Sequence, residues 1–122
     1  MKVFISQPMA GLTDEQILER RNECIQKLKD WYGEDKIDPI DSFTKSESIV
    51  DGGRIVMLGH SIQLMADADT VFFAKGWDTS KGCIVEHEVA KQYNIGCIYE
   101  EYFGDPSKAK ETYHQQDTTY WR

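Results

Sequence analysis

A chain of 122 residues suits one domain, 1–122, and is long enough to bury a real core. With 40% hydrophobic and 29% charged residues it has the composition of a soluble globular protein, and no apolar stretch reaches the ~18–20 residues that span a bilayer. A net charge of −7 argues against nucleic acid or an anionic membrane as partner. It leaves room for a small phosphorylated ligand, because a few amides at a helix N-terminus can hold phosphate inside an acidic protein.

The opening MKVFISQP reaches proline after only a few apolar residues. That is too short for a signal-peptide core and points to a cytoplasmic protein. Cys24, Cys83 and Cys97 are odd in number and lack C-x-x-C spacing, which predicts buried free thiols in a reducing compartment and no metal site. KVFIS (2–6) reads as a strand that breaks into a loop at QPMAG. Thr13, with Gln16 three residues on, opens a helix whose apolar period runs through Ile17, Leu18, Cys24, Ile25, Leu28 and Trp31 until Gly33 ends it. KIDPIDSF (36–43) is a weak second strand or extended segment, held open by Pro39.

TKSESIVDGG (44–53) reads as a polar loop. A second helix is expected from about Arg54 to Ala66, with Ile55, Leu58, Ile62 and Met65 on one stripe. DTVFFAKG carries the strongest strand, apolar without alternation, as in a central parallel strand covered on both faces. A third helix follows from about Lys81 to Tyr93, with Val85, Val89 and Tyr93 as the expected core stripe. IGCIYEE (95–101) is a fourth strand, and the polar, aromatic tail from Gly104 reads as a short helix plus a docked or loose terminus.

Strand and helix alternate with short connections, which predicts an α/β fold. The architecture expected is a small doubly wound, Rossmann- or flavodoxin-like parallel sheet of about four to five strands with helices on both faces. Ligands in such folds sit beyond the carboxyl ends of the strands, near a switch in strand order. Ser6–Leu12, Asp41–Ser48 and Lys75–Gly82 are the loops so placed.

The third of these loops opens GWDTSKGCIVEHEVA (76–90). With Ser80 as helix cap, Gly82 lies in the first turn, where free N–H groups and the helix dipole favour an anion; a plain cap needs no ligand, and both readings stand. Glu86 lies in the second turn, and Glu88 points about 200° around the axis from it, so the two cannot share a face. Glu86 flanks the expected core stripe and leans toward the strand ends, whereas Glu88 faces water. Arg20 and Arg21, inside the first helix, read as a solvated face. Phe43 either stacks on a ligand ring or simply packs.

The order of apolar strand, Gly-Trp, Ser-x-Gly, Glu and Ala in ADTVFFAKGWDTSKGCIVEHEVA (68–90) resembles the nucleoside 2-deoxyribosyltransferase-like superfamily, which includes nucleoside 5′-monophosphate N-glycosidases. KVFISQPMAGLTDEQILERR (2–21) is similar to that family's first strand and ligand loop, and the likeness is to small bacterial and phage members. The resemblance implies that Glu86 is the nucleophile that attacks the anomeric carbon of a (deoxy)ribose, holding the sugar as an ester. It places Asp69 as a residue that positions sugar or base, and Ser80 and Gly82 as holders of a 5′-phosphate. Phe4, Gln7, Pro8, Met9 and Gly11 become the pocket-closing loop. Gly76 and Trp77 border the base site, with a Trp77 that simply packs on the third helix as the equal alternative, and Phe43 is a stacking candidate.

Three positions depart from the family pattern: Phe4 replaces a tyrosine, Gln7 the glycine of Gly-Pro, and Glu88 a glycine. The implied activity is cleavage or transfer of an N-glycosidic bond in a nucleoside or nucleotide. No cofactor is implied, and a homodimer or higher homo-oligomer is. The alternative is a nucleotide-binding or sensing module on the same fold that has lost catalysis.

Overall fold

The structure, a computed structural model, describes residues 1–43 and 53–103 and the backbone of 113–114. Along the chain, β1 (Lys2–Ser6) is followed by α1 (Asp14–Tyr32), β2 (Asp38–Pro39), α2 (Gly53–Met65), β3 (Thr70–Phe73), α3 (Lys81–Gln92), β4 (Gly96–Tyr99) and β5 (Tyr113–His114). The strands lie in the order β2-β1-β3-β4-β5. Pairings among the first four are parallel, and β5 pairs antiparallel with β4. The chain leaves β1 outward to β2 and returns across it to β3, which makes β1/β3 the switch point of a flavodoxin-like sheet.

The tail adds a short edge strand at 113–114, and the rest of it, where a short helix was expected, lies outside the described residues. Tyr120 and Trp121 of that tail lie outside the described residues, as does 44–52 of the polar loop. No helix among the described residues is long and apolar enough to cross a membrane.

Alternation along β1 builds both halves of the core. Val3 and Ile5 point to the α1 face and pack with Cys24, Leu28, Ile37 and Phe72. Phe4 points the other way, toward α2 and α3, and packs with Met65, Val71, Phe73, Ala90 and Cys97. The same alternation carries Ser6 to the Phe4 face at the last position of the strand. Each large side chain so buried contributes on the order of 2 kcal/mol. Cys24, Cys83 and Cys97 are free and buried, as their spacing predicts.

Helix α1 begins in a full capping box: Thr13 Oγ1 accepts from the Gln16 amide at 3.2 Å and the Gln16 side chain accepts from the Thr13 amide at 2.9 Å. The core stripe of α3 differs from the expected one. Val85 and Tyr93 are 40% and 56% exposed, and the buried residues are Cys83, Glu86 and Ala90, spaced three and four apart. The stripe that meets the sheet is therefore small residues and a carboxylate, because Ser6 below it offers a polar partner that an aliphatic side chain could not use. On α2, Ile55 is 81% exposed and lies off the buried face that ends in Met65.

Arg20 is not on a solvated face. Its guanidinium pairs with Glu100 and with Glu23, and Lys27 Nζ reaches the other Glu100 oxygen at 2.6 Å. The Lys75 amide donates to the same carboxylate at 2.7 Å. Glu100, directly after β4, therefore ties α1 to the loop leaving β3. Burial alone would push its carboxyl up, but these hydrogen bonds and the Arg20 charge outweigh it and hold it at about 2.

Candidate active site

Glu86 lies beyond the carboxyl ends of β1 and β3, at the switch point, and is 7% exposed. Ser6 Oγ donates to Glu86 Oε1 at 2.7 Å, and the Ser61 hydroxyl, from α2, gives the carboxylate a second hydrogen bond. Burial pushes the carboxyl up to about 7 against those two hydrogen bonds, which favour the charged form. The Cys83 thiol lies beside the Ser6 and Ser80 hydroxyls. A polar chain therefore runs from Ser61 through Glu86, Ser6 and Cys83 to the cap of α3.

Glu86 forms part of the wall of a cleft of about 30 Å³, open on one side. That space holds a water or two (roughly 10–15 Å³ each), so any larger group must sit in the open mouth. Phe4, Ile5, Ile17 and Phe43 supply apolar walls, while Gln7, Ser42 and Ser61 supply polar ones. Met9, 43% exposed, stands at the rim. Gln7 Nε2 donates to the Ile17 carbonyl at 3.1 Å and so fastens the loop after β1 onto α1. Arg21 also lines the cleft. Its Nη2 donates to the Ile40 carbonyl at 2.6 Å, its Nε is buried without a partner, and burial lowers its pKa despite the charge of Asp41.

Phe4, Gln7, Met9, Phe43 and Glu86 come together as expected from the sequence. Pro8 packs beside Gly76: a Cβ on Gly76 would stand 3.7 Å from Pro8 Cγ, and the φ of +90° at Gly76 is a left-handed conformation that favours glycine. Gly11, exposed at φ +80°, is in the turn beyond Met9 and is not part of the cleft wall. Ser80 caps α3, accepting from the Cys83 amide at 3.4 Å. Ser80 and Gly82 lie outside the cleft wall and connect to it through Cys83.

Two expectations are corrected. Asp69 lies at the amino end of β3, the opposite edge of the sheet from Glu86, where its Oδ2 accepts from the Lys2 amide at 2.8 Å. Four strand residues at about 3.3 Å each separate the two ends, so Asp69 cannot reach a group held at Glu86. Trp77 does not border the cleft. It packs with ring centroids 5.3 Å from Phe73, 4.2 Å from His87 and 5.9 Å from Tyr99.

Ser6, Ser42 and Ser61 join the site without having been singled out in the sequence, and Arg21, expected on a solvated face, is instead partly buried and lines the cleft. Strand alternation from Phe4 could have found Ser6. Nothing in the periodicity of α1 or α2 marks Arg21 or Ser61, because the surface they meet comes from another part of the chain.

A Cβ built on Gly82 meets no atom within 4 Å. Gly82→Ala is therefore expected to leave the free protein as stable, or up to about 1 kcal/mol more stable through helix propensity. If a phosphate approaches the Gly82 amide, the same change weakens phosphate binding. Urea denaturation beside phosphate titration separates the two, and a loss of stability would contradict the open space seen there.

No protein-family model, no curated protein and no solved structure matches this chain.

Proposed function

We propose that the protein cleaves or transfers the N-glycosidic bond of a (deoxy)nucleoside or nucleoside 5′-monophosphate, with Glu86 as the nucleophile. One observation carries the reading: a carboxylate buried at the switch point of a flavodoxin-like sheet, oriented by two hydroxyls and facing a cleft. Desolvation makes that carboxylate more basic than an exposed one, which favours its attack on an oxocarbenium-like anomeric carbon. The hydroxyl that Phe4 lacks is supplied by Ser6 and Ser61.

In the first step a Glu86 oxygen bonds to the anomeric carbon as the C–N bond breaks, and the base leaves with that electron pair and takes a proton from solvent. Water, or a second base, then attacks the same carbon and restores the Glu86 carboxylate. Water as acceptor gives hydrolysis, which we favour slightly, and a base gives transfer. Phe43 and Met9 at the mouth suit contact with the base. The Ser80–Gly82 turn suits an anion, though it lies outside the cleft wall. A homodimer or higher homo-oligomer and a cytoplasmic setting belong to the same proposal, and exposed Ile55, Ile84 and Val85 on α2 and α3 support a self-associating face.

Incubation with a panel of nucleosides and nucleoside monophosphates, read by chromatography, tests the proposal. Free base must appear with at least one member of the panel. Ligand-dependent thermal stabilisation with no base release, even on long incubation, would instead support the sensing module. The protonation of Glu86 near pH 7 favours that second reading, since a neutral carboxyl donates a hydrogen bond and does not attack.

A further inference from the structure

Arg20 and Arg21 are neighbours in α1 with opposite fates. The Arg20 guanidinium is held between Glu23 and Glu100. Arg21 makes no ion pair among the described residues; its one hydrogen bond is Nη2 to the Ile40 carbonyl, and its buried Nε has no acceptor. A buried donor without an acceptor is costly, and a guanidinium fork matches the oxygens of a phosphate in two-pronged geometry. Arg21 is also the cation in the wall of the cleft that holds Glu86, inside a chain of net charge −7 whose overall field repels anions.

We infer that Arg21 is the phosphate anchor of this cleft, so that the substrate class is the nucleoside 5′-monophosphate and not the free nucleoside. The inference rests on reading the cleft as a nucleotide site. It assigns the charge selectivity to a side chain on α1, apart from the helix N-terminus at Ser80 and Gly82, which lies outside the cleft wall. Held by the Ile40 carbonyl, Nη2 fixes the plane of the guanidinium; Nε is covered by protein atoms, and Nη1, which makes no hydrogen bond among the described residues, is the nitrogen left for a phosphate oxygen.

The test measures binding, not turnover, on the Glu86→Gln background, with each nucleoside and its 5′-monophosphate titrated as a matched pair by calorimetry. The parent is expected to bind at least one monophosphate more tightly than its nucleoside. Adding Arg21→Gln should weaken that monophosphate roughly 10- to 100-fold and the nucleoside by less than about threefold. Arg21→Lys, which keeps the charge and loses the fork, should fall between, and it carries the test if Arg21→Gln proves unfolded by circular dichroism. Equal weakening of both ligands, no weakening of either, or a parent that binds no monophosphate overturns the inference. So does a phosphate preference lost on Gly82→Ala but kept on Arg21→Gln. Because no turnover is read, selective loss without base release from the wild type would uphold the anchor while sinking the proposed reaction.

Discussion

Glu86→Gln is expected to lower base release by on the order of a thousandfold or more while making the folded protein more stable above neutral pH. The two effects have one cause. Burial raises the Glu86 carboxyl from 4.5 to about 7, so the folded state holds this proton more tightly than the unfolded chain does. The stability that the neutral carboxyl contributes is fully present below about 4.5 and is lost as pH rises through about 7. At about 1.4 kcal/mol per unit over the interval from 4.5 to about 7, the loss by pH 8 is roughly 3–4 kcal/mol. Glutamine keeps the size and the serine contacts without the charge. Denaturation midpoints of wild type and variant should therefore coincide near pH 4.5 and separate by that amount at pH 8. Identical pH dependence of the two would show that Glu86 is not the buried acid described here. The same ionisation should govern turnover: kcat rises with pH through about 7 and falls about tenfold per unit below it.

Glu100→Ala is expected to cost about 2–4 kcal/mol, the second largest effect. The Glu100 side chain is 4% exposed, and its removal leaves the Lys75 amide without an acceptor and Arg20 with Glu23 alone. Lys27 is half exposed and recovers hydration, so Lys27→Met should cost well under about 1 kcal/mol. The sign of the pH effect is opposite to that of Glu86. The Glu100 carboxyl sits at about 2 when folded, so its contribution is present above about 4.5 and is lost as pH falls toward 2. Urea titrations of Glu100→Ala and wild type should therefore converge in acid. A constant gap from pH 7 to pH 2.5 would contradict the ion-pair account.

Much of the frame can be read along the chain because local chemistry decides it. The Thr13–Gln16 box, Gly33 and the unbroken apolar run of β3 each act within a few residues, and each element they predict is present. What the sequence hid depends on contacts between distant segments. Val85 and Tyr93 look like a core stripe until the partner surface is seen to be Ser6, which suits Glu86 and not a valine. Arg20 and Arg21 are indistinguishable in sequence and separate only because Glu100, 80 residues from Arg20, reaches one of them. Asp69 follows the order of motifs, but parallel strands send residues at the two ends of β3 to opposite edges of the sheet.

The central claim is that Glu86 bonds covalently to the sugar, and acid-quenched peptide mass spectrometry tests it directly. Wild-type protein is mixed with the best substrate of the panel, quenched within the first turnovers and digested. The account predicts that the peptide carrying Glu86 gains the mass of the sugar or sugar phosphate, and that the gain is absent in Glu86→Gln. Base release with no adduct on that peptide, or an adduct on another residue, would contradict it.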